Sequence, residues 1–240
     1  MKLYDKLIEH TLTEIKKLPV TISPASDQKP WSDPGVSELV MLRDSAYELG
    51  GSGQPSVNYT LITTGGSVTE DEIWLAGPDL KDIKKDVAFA RIVILETEDL
   101  GDDDEEVYNA IRGMEFVRYH VFPKGYMVRV SSRSNQEQVR ISRDAIGAGI
   151  SFASVGAAYI KKYREIEAVK HVRIIFLADL PELTETLVPN ASKADEITKA
   201  LTHIMDGLDT DCNHCQMKPV CDEVEGMKEM HFARKQRRGS

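Results

Sequence analysis

The stretch VAFARIVILE, residues 87–96, is apolar at almost every position. A strand with no polar face must be covered on both sides, so layers have to be stacked against it. VRIIFLA (172–178) reads as a second core strand. VSELVMLR (36–43), SVNYTLITT (56–64) and EIWLAGPDL (72–80) also read as strands, the last running into a turn. YMVRVSSRSNQEQVRIS (126–142) reads as two strands around a polar turn.

Helices are predicted at 3–18, where Leu3, Leu7, Ile8, Leu12 and Ile15 share a face and Pro19 stops the pattern. Others are predicted at 106–122, as a pair over 142–166 joined at Gly149, at 192–206, and over 222–235. Residues 23–35 hold Pro24, Pro30 and Pro34 without a period, and read as a linker or ordered loop. The acidic run ETEDLGDDDEE (96–106) reads as a solvated loop leading into a helix N-terminus, where carboxylates suit the helix dipole. It lacks the ligand spacing of an EF-hand loop.

Strands and helices mix without strict alternation. That predicts an α+β (mixed α/β) fold: a mixed sheet covered by helices, with a C-terminal Cys-rich helical segment. The expected division is an N-terminal helix and linker (1–35), an α/β core domain (36–190), and a helix with a Cys-rich segment (191–240). The formal net charge of −9 over 240 residues argues against nucleic acid and against anionic membrane surfaces as partners. No apolar run approaches the roughly 18 residues of a membrane span, and the N-terminus lacks a signal-peptide core. Three cysteines, an odd number, suit a reducing compartment, so a cytoplasmic location is expected. Self-association as a homo-oligomer stays open.

All three cysteines lie in DCNHCQMKPVCDEV, residues 211–224. Thiolates are soft donors, and the Cys212-x-x-Cys215 spacing lets two of them grip one metal from a single turn. Cys221 can close around the same centre. Iron–sulfur clusters usually take four cysteines, so a set of three leaves one position for histidine or an exogenous ligand. Three cysteines with one histidine also form an ordinary structural zinc set. Buried free thiols and a Cys212–Cys215 redox disulfide are the alternatives to metal. Arginines concentrate in the middle of this acidic chain: Arg112, Arg118, Arg129, Arg133, Arg140 and Arg143. Arginine suits bidentate phosphate contacts, but pairing with nearby Asp and Glu would equally account for them.

Several ordered segments carry a resemblance to a known family. IWLAGPDLKDIKKDVAFARIVILE, FVRYHVFPKGYMVRVSSRSNQEQVRISRDAIGAGISFASVGAAYIKKYREI and HVRIIFLAD, within roughly residues 72–180, resemble the middle domain of acetyl-CoA synthase. This is the beta subunit of the carbon monoxide dehydrogenase/acetyl-CoA synthase complex. The resemblance implies a [4Fe–4S] cluster on the Cys-rich segment, with zinc as the alternative. His231 stands near the place of the family's fourth cysteine, giving the expected metal set Cys212, Cys215, Cys221 and His231. It further implies that Arg129, Arg133, Arg140 and Arg143 serve the phosphates of coenzyme A. A protein partner in a CO/acetyl-CoA or corrinoid system is expected, in anaerobic one-carbon metabolism. The family's nickel-binding Cys-Gly-Cys motif has no counterpart here. The resemblance therefore implies an accessory or stand-alone subunit rather than a complete acetyl-CoA synthase. An enzyme with an open cluster site, acting on CO or a CoA ester, and a structural-zinc interaction module are the other readings.

Overall fold

A computed structural model of the chain describes residues 3–36, 45–51, 53–101, 103–131, 136–206, 215–224 and 227. The chain begins with α1 (Asp5–Ile15) and β1 (Thr21–Pro24), followed by β2 (Ala46–Leu49), β3 (Ser56–Thr63), β4 (Glu72–Ala76) and β5 (Phe89–Thr97). Next come α2 (Asp104–Val117), a hairpin of β6 (Tyr126–Ser131) and β7 (Gln136–Ser142), and the helix pair α3 (Arg143–Gly147) and α4 (Phe152–Tyr163). The remainder is β8 (Val169–Ala178), α5 (Pro181–Thr186), α6 (Val188–Asp206) and α7 (Lys218–Glu223).

The apolar run becomes β5, and every residue of that strand is buried. It lies inside a mixed five-stranded sheet of order β1-β4-β8-β5-β3. β5 runs antiparallel to β8 and parallel to β3, while β4 runs parallel to β8. A second, antiparallel sheet has the order β2-β7-β6. Helices α4 and α6 pack on the larger sheet, and the smaller sheet packs on β3 and β5. This is the expected mixed sheet with helical cover. The described residues include no helix long and apolar enough to cross a membrane.

Some local expectations change. β1 forms at the start of the proline-bearing segment because Thr21–Pro24 can pair with β4 at the sheet edge, where Pro24 disrupts no inner ladder. The loop after it is ordered: the Trp31 backbone N–H donates to Ser154 O (2.9 Å) and its indole donates to Lys124 O (2.8 Å). The strand expected at 36–43 lies, beyond Val36, outside the described residues. β2 falls where no strand was expected, and pairing with β7 supplies the order its short sequence does not announce. Glu96, expected in a solvated loop, lies buried one residue before the end of β5; its carboxylate accepts the N–H groups of Gly66 (2.8 Å) and Val68 (3.3 Å). Asp103 then caps α2 through the N–H groups of Glu105 and Glu106. The last described helix begins at Lys218 rather than 222, and most of 222–235 lies outside the described residues. One apolar cluster runs from Leu3 to Met227 and draws on all three segments of the expected division.

The two sheets meet at two joints. In the first, Gly50 donates its N–H to Val87 O (2.8 Å). Its φ of 68° is left-handed, and a Cβ there would strike the Glu137 carbonyl oxygen and the Ser56 side chain. The second is ionic. Arg91 of β5 and Glu137 of β7 are both fully buried, with Arg91 Nη2 2.7 Å from Glu137 Oε2 and Nε 3.0 Å from both carboxylate oxygens. Arg91 Nη2 also donates to Arg118 O at 3.0 Å, and its guanidinium lies 4.0 Å from the Tyr159 ring centroid. Asn58 donates to Glu137 Oε2. Burial pushes the Glu137 carboxyl above its usual range, and the charge and hydrogen bonds of Arg91 oppose that rise.

Removing one partner of a buried pair strands the other charge. Glu137→Ala should therefore cost about 3–5 kcal/mol in urea unfolding. The Arg91→Met/Glu137→Leu double variant, which removes both charges, should lose less than the single variant does.

Candidate functional site

The cysteine segment hangs on α6, which is anchored at several points. Near its start, Asn190 donates to Thr11 Oγ1 (2.9 Å), which is 3.0 Å from the Tyr59 hydroxyl on β3. Midway, Thr198 donates to Glu115 of α2 (2.8 Å). The last turn of α6 holds His203. α7 lies back on α6 through buried Val220, with Val224 and Met227 buried beyond its end, and through a Lys193–Glu223 ion pair of 2.5 Å.

This geometry brings Cys215 to His203: Sγ lies 3.5 Å from Nε2. Cys221 takes a different setting, partly buried and packed on the core with Met217. Cys215 and Cys221 are not bonded to one another. Cys212, His214 and His231 lie outside the described residues. Among the described residues no group of three or more His, Cys, Asp or Glu side chains gathers as a metal site. His203 was not among the expected ligands. Its sequence signal is indirect: it sits at the end of the helix that delivers the chain to the cysteines, 12 residues before Cys215.

The hairpin arginines fall as alternation requires. Register places Arg129 opposite Gln138 and Arg140 opposite Met127, so Arg129 and Arg140 share the outer face, while Glu137, Val139 and Ile141 turn inward. Arg129 is exposed. Arg140 is held by Glu48 of β2, with Nε 2.6 Å from Oε1, and that carboxylate is only 3% exposed. The Arg143 guanidinium stands 5.2 Å from the Tyr47 ring centroid. Arg133 lies outside the described residues. Arg112 pairs with Glu115 (3.7 Å). Acidic pairing thus accounts for part of the cluster.

A surface groove of about 460 Å³ opens elsewhere, where Ser26, Glu70, Asp71, Lys161, Arg164 and His171 meet. Within it Asp71 lies 3.7 Å from Arg164 and 4.0 Å from the His171 ring.

A family model described as the CO dehydrogenase/acetyl-CoA synthase complex beta subunit matches residues 36–183. No curated protein matches the chain. The matched stretch holds both sheet joints and the hairpin arginines, and ends before α6 and the cysteines.

Within that stretch the arginines should separate by partner. Arg140→Ala removes the 2.6 Å contact to the buried Glu48 carboxylate and should cost about 1–3 kcal/mol in chemical denaturation. Arg129→Ala, an exposed substitution, should stay within about 0.5 kcal/mol of the parent.

Proposed function

Because the chain belongs to the CO dehydrogenase/acetyl-CoA synthase complex beta subunit family, we propose that it acts in one-carbon, CO/acetyl-CoA metabolism as a metal-binding subunit that docks a protein partner. A dehydrogenase, ferredoxin or corrinoid protein of the same system fits that role. The family match supports the relation through the sheet framework. The observation that carries the metal is the contact of Cys215 with His203, a thiol and an imidazole brought together at the end of an anchored helix. Cys212, Cys215 and Cys221 are the thiolates proposed to hold the group, with His203 or His231 beside them. An iron–sulfur cluster would supply electron transfer there. With three cysteines and no second thiolate pair for nickel, an accessory role fits better than complete acetyl-CoA synthesis.

A second reading places a phosphate-bearing ligand such as coenzyme A on the hairpin. It is favoured by Arg129 and Arg140 sharing one outer face. Titration calorimetry with coenzyme A should show affinity that falls with added salt, since exposed charges are screened over about 10 Å at roughly 0.1 M. Equal binding by an Arg129→Ala variant would reject this reading.

Anaerobically purified protein should contain metal in fixed proportion to chain. Cys215→Ser should lose it while keeping a cooperative unfolding transition, because the core strands lie elsewhere. Metal-free wild type after anaerobic reconstitution would overturn the metal reading.

A further inference from the structure

The separation between Cys215 and His203 says more than that two donors are near each other. A tetrahedral ion with metal–sulfur and metal–nitrogen distances of about 2.3 Å and 2.0–2.1 Å sets its sulfur and nitrogen ligands about 3.5–3.6 Å apart. Cys215 Sγ and His203 Nε2 stand 3.5 Å apart. We infer that Cys215 and His203 are two ligands of one mononuclear, zinc-type ion, and that His203, not His231, supplies the imidazole. This rests on the reading that the cysteine segment binds metal, and it changes the nature of the centre. In a cubane each iron takes one protein ligand, and ligands of neighbouring irons point outward from different corners. Two side-chain donors separated by the edge of a single tetrahedron suit one ion better than two corners of a cluster.

The surroundings agree with a structural ion. α6 is tied to α1, β3 and α2 by the hydrogen bonds of Asn190 and Thr198, so His203 is presented from a braced helix. Cys215 is in the turn entering α7, where Lys218 N–H donates to Cys215 O at 3.1 Å. An ion between them would join the end of α6 to the start of α7, beyond the Lys193–Glu223 contact that already ties the two helices. Cys212, three positions before Cys215, is the nearest further thiolate in sequence.

The test uses the full chain, freed of metal by a chelator under reducing conditions and titrated with cobalt(II) and zinc. Wild type should bind one ion per chain. Cobalt should show thiolate charge-transfer bands with tetrahedral ligand-field intensity. X-ray absorption of the zinc form should show an imidazole nitrogen beside sulfur. His203→Ala should remove the imidazole signal and weaken binding by more than about 100-fold, since loss of an outer-sphere partner alone costs about 10–100-fold. His203→Cys should restore tight binding with stronger thiolate bands, which separates ligand loss from misfolding. His231→Ala should change neither signal. Metal bound with the imidazole signal intact in His203→Ala overturns this inference and leaves the metal reading standing. So does a centre of several irons with inorganic sulfide and no imidazole. Failure of the wild type to bind any of these metals overturns both and reduces the pair to a thiol–imidazole hydrogen bond.

Discussion

Arg91 and Glu137 close the interface between the two sheets. Arg91 interrupts the most apolar strand of the chain, and Glu137 comes from a hairpin strand of the smaller sheet. Neither is exposed, so each relies chiefly on the other to replace water, with the Arg118 cation also acting on Glu137. Burying either one alone would be very unfavourable; together they fix where the hairpin sits on β5. Tyr126, Tyr159 and Tyr163 surround the pair, and burial raises all three phenols, keeping them neutral beside it.

The same pair sets what the hairpin shows to solvent. Alternation means that Glu137 inward requires Gln138 and Arg140 outward. A slip of one residue would expose Glu137 and drive Arg140 into the core. The outer arginine face is therefore a consequence of the inner ion pair. Glu48 then takes up Arg140, which tempers a surface that sequence alone presents as a phosphate patch.

The thiols are built on other terms. They follow α6, whose anchors run to α1, β3 and α2, and they lie beyond the stretch that matches the family. The sheet framework and the cysteine segment thus carry separate evidence. The first places the chain in its family. The second brings Cys215 to His203 through one helix end and one turn.

Long, strongly patterned elements were legible without the structure. β3, β5, β8, the hairpin and the helix pair broken near Gly149 are determined by local composition and period, because a fully apolar run or a strict alternation has few stable solutions. The clustering of thiols at 212–221 was equally plain. The short strands β1 and β2 were not, since four residues acquire strand geometry only from the partner they pair with. Nor could period alone show that Arg91 and Glu137 meet, or that Glu96 is buried by donors from a loop. His203 is the plainest case: the resemblance pointed to His231, but contact is decided by where a helix ends and how the next turn folds back. The sequence by itself determined the strands, the hairpin alternation and the supply of soft donors. Only the tertiary structure decided which charges are buried together and which imidazole meets Cys215, because those depend on distances between elements far apart in the chain.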